Sequence, residues 1–112
     1  MEIGRLLRAN GVEVFIPQEA SCISACVLIL AGGAARTIMG KVGIDSPHFL
    51  RAAGPGDDVP ALLSRSKQIM RDYFHSMGVA EDLADAMFLV PNGGVRVLRQ
   101  DELSQYRLKE FR

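Results

Sequence analysis

The residues of this chain that are best suited to chemistry lie together in the stretch EASCISACVLILAGG, which runs from Glu19 to Gly33. Within it, Ser24 stands between Cys22 and Cys26, where a polar turn gives way to an apolar run. A serine at the start of a helix can act as a nucleophile, because unpaired backbone N–H groups and the helix dipole stabilise a developing oxyanion. The alternative is that Ser24 only caps the helix, which is the commoner role of serine at such a position.

A nucleophilic serine also needs a base within hydrogen-bond reach, usually a histidine held by a carboxylate. The chain has two histidines. His48 is the nearer of them to Ser24 in sequence, so it is the candidate base. His75 falls in a predicted helix beside its apolar stripe, which indicates a surface or boundary residue.

Two interpretations of the cysteine pair stay open. In an oxidising compartment, a disulfide between Cys22 and Cys26 would rigidify the turn that carries Ser24, whereas in the cytoplasm we expect two small buried hydrophobic residues. Their C-x3-C spacing has no second ligand pair elsewhere, which argues against a zinc site. The glycines of AGGAAR lack the Lys-Ser/Thr of a phosphate loop. The sequence therefore predicts neither a metal nor a cofactor.

Length and composition indicate one soluble domain over residues 1–112, since 48% of the residues are hydrophobic. Thirteen basic and thirteen acidic side chains give a formal net charge of zero, without the basic stripe of a nucleic-acid-binding protein. Little global repulsion then opposes self-association. The longest apolar run, Ala25 to Ala31, is far shorter than the roughly 20 residues that span a bilayer. We expect no membrane partner and, from the chain as written, a cytoplasmic location.

Apolar spacing and helix stop signals predict a mixed order of helices and strands. The predicted elements are a helix over Glu2–Ala9, a strand over Val12–Ile16, a helix over Ser24–Leu30, a strand over Lys41–Asp45, a long helix from Asp57 or Asp58 to Gly78, a short helix over Ala80–Leu89, a strand VRVL and final helical turns in DELSQYRL. Such alternation predicts an α/β fold with helical crossovers. About three short strands are fewer than the usual sheet has, so another copy or a larger fold would complete the sheet.

The segment CISACVLILAGGAARTIMGKVGIDSP resembles the region around the active serine of the Clp protease proteolytic subunit and its relatives in the crotonase-like superfamily. It is most similar to the periplasmic ClpP-like family, whose members carry a Cys-x-Ser-Ala-Cys block, an apolar helix ending in Ala-Gly-Gly and a Val-Gly-Ile/Val-His strand. The flanking segments IGRLLRANGVEVFIP and YFHSMGVAEDLADAMFLVPNGGVRVLRQDELSQYRL fit the same family. The resemblance implies a ClpP/crotonase-like layered α/β fold and a serine hydrolase or peptidase.

On this resemblance Ser24 takes the nucleophile position, but the family histidine falls on Asp45. A carboxylate cannot replace an imidazole at neutral pH unless its pKa is strongly raised. His48 lies three residues further on, which is roughly 10 Å of extended chain. The third catalytic position, an acid in the family, falls near Pro91 and Asn92, of which Asn92 is suited to orient an imidazole.

In the family, the first strands and a Gly-rich loop precede the helix that matches Glu2–Ala9. The resemblance therefore implies a fold truncated at its N-terminus, association with copies of the same chain, and a periplasmic location if an upstream signal peptide is missing. The predicted function is a ClpP-like serine hydrolase or peptidase with a degenerate triad, acting on a peptide. The alternative is a non-catalytic oligomeric interaction or assembly module on the same fold.

Overall fold

The computed structural model describes residues 1–46, 56, 58–91 and 93–109. The chain order of its helices and strands is α1 (Glu2–Ala9), β1 (Glu13–Ile16), β2 (Ser21–Ile23), α2 (Ala25–Ala31), β3 (Ala35–Ile38), β4 (Lys41–Ile44), α3 (Val59–Ser76), α4 (Asp82–Leu89), β5 (Arg96–Val97) and α5 (Gln100–Gln105). The predicted α/β class is confirmed, since helices and short strands alternate along most of the chain.

The strands form two small sheets. In the first, β1 and β3 run parallel, with Glu13 opposite Ala35 and Ile16 opposite Ile38. In the second, β4 lies between β2, to which it is parallel, and β5, to which it is antiparallel. Helix α2 follows β2 and precedes β3 in the chain, so it is part of the connection from β1 to β3 and of the connection from β2 to β4. Parallel strands need such a crossover, which is usually helical.

The first four strands alternate between the two sheets along the chain. It passes from β1 to β2 and into α2, and then from β3 to β4 and on toward α3. Because β2 and β4 are parallel, their carboxyl ends meet at one edge of the second sheet. Ser24 follows β2 and Asp45 follows β4 at this edge.

Strands β2 and β3 were not predicted, and the expectation of about three strands in one sheet was wrong. Strand β2 has three residues and β3 has four, too few to show a clear alternation of apolar and polar positions. Each is stabilised by a partner distant in sequence: β2 by β4 and β3 by β1.

The core is formed by residues of the sheets, of helices α2 to α5 and of the C-terminal segment after α5. Its largest fully buried side chains are Tyr73, Phe74, Leu30, Ile38, Ile44, Leu83, Leu103 and Leu108. Tyr73 is joined to α2 by a hydrogen bond that its hydroxyl donates to the Leu28 carbonyl oxygen. Helices α1 and α2 approach so closely that a Cβ added at Gly32 would lie 2.3 Å from Gly4 Cα.

The guanidinium of Arg36, in β3, joins the C-terminal segment to the rest of the domain. It donates hydrogen bonds to the carbonyl oxygens of Leu108 at 2.9 Å, Arg107 at 3.0 Å and Ala31 at 2.8 Å. Ala31 is the last residue of α2, where a positive charge also complements the helix dipole.

Helix α3 begins after Asp58, whose carboxylate accepts a hydrogen bond from the Ala61 N–H at 3.2 Å. Tyr73 and Phe74, near its C-terminal end, are buried, while its first residue Val59 is 37% exposed. Within the described part of the chain, the apolar stripe is fully buried only near the C-terminal end of the helix. Among the described residues, no helix has the length and apolar character needed to span a bilayer.

Candidate functional site

Ser24 lies at the apex of a sharp turn between β2 and α2, with φ of 62° and ψ of −121°. A positive φ is uncommon for residues other than glycine, because the Cβ atom clashes with the backbone. Among the described residues, the other non-glycine residue with a positive φ is Arg107. A strained conformation of this kind costs about 1–3 kcal/mol and persists only where the surrounding structure fixes it.

Hydrogen bonds hold the backbone on both sides of this turn. The Ser24 N–H donates to the Gly43 carbonyl oxygen of β4 at 3.2 Å, and the Val27 N–H of α2 donates to the Ser24 carbonyl oxygen at 3.0 Å. The turn is also crossed by a disulfide between Cys22 and Cys26, whose Cα atoms are 5.2 Å apart. Of the two interpretations of the cysteines, the structure has the disulfide, and the alternative of two separate buried thiols is wrong.

The Ser24 side chain is half-buried and therefore neither sealed in the core nor fully solvated. Ser24 occupies the N-cap position of α2, but its side chain makes no capping hydrogen bond with the described residues of that helix. The Ser24 side chain therefore does not cap α2, although capping is the role expected of most serines at this position. The next residue, Ala25, is exposed and small.

Asp45 is the predicted partner that the structure brings to the same sheet edge as Ser24. In the parallel pair of β2 and β4, Ile23 lies opposite Gly43. Ser24 directly follows the last residue of β2, and Asp45 directly follows the last residue of β4. Asp45 is half-buried and takes part in an interaction of its own. His48 and Asn92 lie outside the described residues, and their proposed roles as base and orienting residue stay predictions.

An apolar surface beside Ser24 was missed by the sequence reasoning. Ile23 and Val97 flank Gly43 in the register of the second sheet and are 42% and 53% exposed. A Cβ on Gly43 would lie 2.9 Å from Val95 Cγ1 and 3.2 Å from Ile23 Cγ1, so the absence of a side chain lets its neighbours converge. We call the surface formed by Ile23, Val95 and Val97 around Gly43 the apolar outer surface. Its signal in the sequence is a glycine inside a strand, which often marks a close approach.

A groove of about 280 Å³ continues from the apolar outer surface. Its lining residues are Ala86, Leu89, Val90, Pro91, Gly94, Val95 and Arg96. The Arg96 guanidinium pairs with Glu102, a buried carboxylate that also accepts a hydrogen bond from the Arg99 N–H at 3.0 Å. The groove is therefore mainly apolar, and its one arginine already has a carboxylate partner that fixes the start of α5.

Comparisons of the chain with protein-family models, with curated protein sequences and with solved structures found no match. The resemblance to the ClpP-like family therefore stays a prediction from the sequence, which none of these comparisons supports. The site consists of a strained serine at a strand-to-helix turn, a carboxylate at the same sheet edge and an apolar surface formed by neighbouring strand residues.

Proposed function

We propose that this protein is a serine hydrolase related to the ClpP-like peptidases, with Ser24 as its nucleophile and a degenerate triad. The observation that carries the proposal is the backbone of Ser24, which holds φ at 62° between a strand and a helix. A serine on a sharp, strained strand-to-helix turn is the arrangement by which hydrolases expose a nucleophilic hydroxyl. Backbone strain is also concentrated at active sites, where it serves pre-organisation.

In the proposed reaction, the Ser24 hydroxyl oxygen attacks the carbonyl carbon of an ester or peptide and its proton passes to a base. The C–O or C–N bond of the substrate then breaks, the leaving alcohol or amine takes this proton from the base, and water hydrolyses the acyl-enzyme. We assign the role of base to His48, with Asn92 orienting its imidazole. His48 lies three residues beyond Asp45, the position that the family gives to its catalytic histidine. We therefore expect slow turnover compared with an enzyme that has a complete triad.

The apolar outer surface supports a substrate with an apolar group next to the reacting carbonyl, such as a peptide with an aliphatic side chain. Its exposed residues, Ile23 and Val97, lie in the second sheet, and Ser24 directly follows Ile23 at the end of β2. Binding of such a group would remove apolar area from water, at about 25 cal/mol for each Å² buried. A polar substrate would gain nothing from this surface.

Association with copies of the same chain is the second part of the proposal. Ile3 and Leu6 of α1 are 58% and 59% exposed, and Phe15 of β1 is 55% exposed. Among the described strands, β1 pairs with β3 alone and β2 with β4 alone, so each has an open edge. Open edges and large exposed apolar side chains are typical of surfaces that another chain covers.

The disulfide supports a periplasmic location over a cytoplasmic one. Disulfides persist in oxidising compartments and are rare where glutathione and thioredoxin keep thiols reduced. Whether the protein is exported can be tested by fractionating cells and alkylating free thiols before lysis. A periplasmic protein would resist alkylation at Cys22 and Cys26, whereas a cytoplasmic protein would be modified at both.

A fluorophosphonate probe tests the enzymatic proposal, because it reacts covalently with activated serines. We expect the folded protein to be labelled, Ser24→Ala to lose the label, and Ser21→Ala to keep it. Ser21 is the matched control, since it lies in β2 three residues earlier and is exposed. Equal labelling of wild type and Ser24→Ala would refute the proposal.

The alternative function is a non-catalytic assembly module, and Asp45 at the position of the family histidine is the observation that favours it. Such a module would keep the open edges and exposed apolar residues while the serine is inert. Absence of labelling in folded, associated wild-type protein would support this alternative. Labelling lost in Ser24→Ala would exclude it.

A further inference from the structure

The Cys22–Cys26 disulfide closes a loop of a few residues around Ser24. We propose that this disulfide is a redox-controlled clamp, which holds Ser24 in its positive-φ conformation when oxidised and releases it when reduced. The effect of the clamp on reactivity rests on the proposed function of Ser24. Its effect on the backbone does not.

The position of the bond indicates a local role. In the chain-entropy description, a disulfide stabilises a protein by restricting its unfolded state, and the restriction is smallest for short loops. A link between residues separated by four positions therefore does little for the fold as a whole. It joins the residue before the end of β2 to the second residue of α2, which are the two elements that define the turn.

The residues on the two sides of the turn differ in how deeply they are buried. On the strand side, Cys22 is fully buried in the core and the Ser24 N–H is bound to Gly43 of β4. On the helix side, Ala25 is exposed and Cys26 is half-buried. The disulfide thus ties the more exposed first residues of α2 to the buried end of β2. Without it, the strained conformation of Ser24 loses one of the constraints that a positive φ needs in order to persist.

The accessible sulfur also fixes the course of reduction by a dithiol. A thiolate of the reductant attacks the Sγ of Cys26, which is the more exposed residue of the two, forming a mixed disulfide and breaking the Cys22–Cys26 bond. The Cys22 thiolate leaves and takes up a proton. The second thiolate of the reductant then attacks its own sulfur in the mixed disulfide, so that the reductant departs as a cyclic disulfide and Cys26 is left as a thiol. Two electrons and two protons pass to the protein.

Amide hydrogen exchange and phosphonylation, measured on the oxidised protein and after reduction with dithiothreitol, test the clamp. The amide groups of Ser24 and Val27 report on the turn, and the Met39 N–H, bound to the Ile16 carbonyl oxygen at 2.8 Å, reports on the first sheet. We expect reduction to speed exchange at Ser24 and Val27 at least tenfold, to leave Met39 unchanged, and to slow fluorophosphonate labelling of Ser24 at least tenfold. The double variant Cys22→Ala/Cys26→Ala should behave like the reduced protein and ignore dithiothreitol.

Each outcome has a defined meaning. Unchanged exchange at Ser24 and Val27 would overturn the clamp, and so would a rise at Met39 of equal size, because the bond would then support the whole fold. Faster amide exchange at Ser24 and Val27 with unchanged fluorophosphonate labelling would show that the disulfide does not control the reactivity of Ser24. Faster exchange at the turn without labelling in either redox state would support the clamp and refute the hydrolase.

Discussion

Ser24 and Asp58 each stand immediately before a helix, but they stabilise it differently. Asp58 accepts a hydrogen bond from the Ala61 N–H, whereas the Ser24 side chain makes no such bond with the described residues of α2. We predict that Asp58→Ala lowers the free energy of unfolding by about 1 kcal/mol, and Ser24→Ala by less than about 0.5 kcal/mol. Urea denaturation measures both. An equal loss in the two variants would mean that Ser24 is an ordinary cap.

The positive φ of Ser24 gives a second prediction at the same residue. Glycine adopts this backbone conformation without a Cβ clash, whereas a β-branched residue is strongly disfavoured there. We expect Ser24→Gly to raise the free energy of unfolding by about 1 kcal/mol and Ser24→Val to lower it by about 1–3 kcal/mol. The same urea titration provides the measurement. Destabilisation by glycine as large as that by valine would show that Ser24 does not hold a positive φ.

Tyr73 links a single ionisation to the stability of the domain. Burial raises the pKa of its hydroxyl, and the positive charges of Arg5 and Arg36 oppose this rise in part. Because the pKa is higher in the folded than in the unfolded chain, the stabilisation is fully present below the ordinary value of 10.0 and is lost as the pH rises through the folded value.

We therefore predict that the free energy of unfolding falls above pH 10, and that Tyr73→Phe weakens this fall. The chain has two tyrosines, so in Tyr106→Phe the tyrosinate absorbance reports on Tyr73 alone. Its midpoint should lie above 10.0 in the folded protein and return to the ordinary value in urea. A midpoint below 10.0 in the folded protein would contradict the buried, donating hydroxyl.

Only those parts of the site that depend on residues close together in the sequence could be predicted. Ser24 was found because a polar turn precedes an apolar helix, which is a signal within a few residues. The state of Cys22 and Cys26 depends on how the turn folds, so the spacing alone left two alternatives. The apolar outer surface depends on the pairing of Ile23, Gly43 and Val97 across three strands, which no local pattern contains.

Among the elements, helices were predicted more accurately than strands. Helix α1 has the predicted bounds. Helix α3 ends shortly before Gly78, whose φ of 74° glycine adopts without a clash, whereas Gly32 after α2 has an ordinary φ and is required by the close approach of Gly4. Strand β1 follows the expected alternation, with Val14 and Ile16 more buried than Glu13 and Phe15. Strands β2 and β3 depend on long-range pairing, and short segments of this kind carry little local preference.

The contact between α1 and α2 reverses the usual effect of an alanine substitution. In an exposed helix, replacing glycine by alanine stabilises by about 0.5–1 kcal/mol. At Gly4, however, an added Cβ would lie 1.8 Å from the Tyr73 hydroxyl oxygen, and Gly32 is packed against the same turn. We predict that Gly4→Ala lowers the free energy of unfolding by about 1–3 kcal/mol in urea denaturation.

Gly94→Ala is the control for this substitution, because the nearest atom to its added Cβ is the Pro91 carbonyl oxygen at 3.2 Å. We expect a loss smaller than that at Gly4. If Gly4→Ala instead stabilises the protein, the close contact of α1 with α2 and Tyr73 does not exist in solution.

Across the whole molecule, several large apolar side chains are exposed, and those of α1 and β1 are covered by nothing in the described part of the chain. Leu6 and Phe15 are each more than half exposed, and β1 has an open edge. Because the formal net charge is zero, little repulsion opposes contact between copies. These features together favour association of the folded chain.

We predict that wild-type protein sediments as an oligomer whose population grows with concentration, and that Leu6→Lys or Phe15→Lys shifts it toward monomer. Charged side chains on an apolar edge prevent such pairing. Leu89→Lys is the control, since Leu89 is 82% exposed but lies on α4. A wild-type protein that stays monomeric at all concentrations would contradict the prediction.

The most direct test of the central claim, that the fold activates Ser24, compares phosphonylation of the native protein with that of the same chain unfolded in urea. Site-mapped mass spectrometry gives the rate at each serine separately. We predict that Ser24 reacts faster than every other serine in the native protein, and that this advantage disappears on unfolding. Equal rates at Ser24 in the native and unfolded chains would show that the strained turn confers no reactivity and would contradict the account.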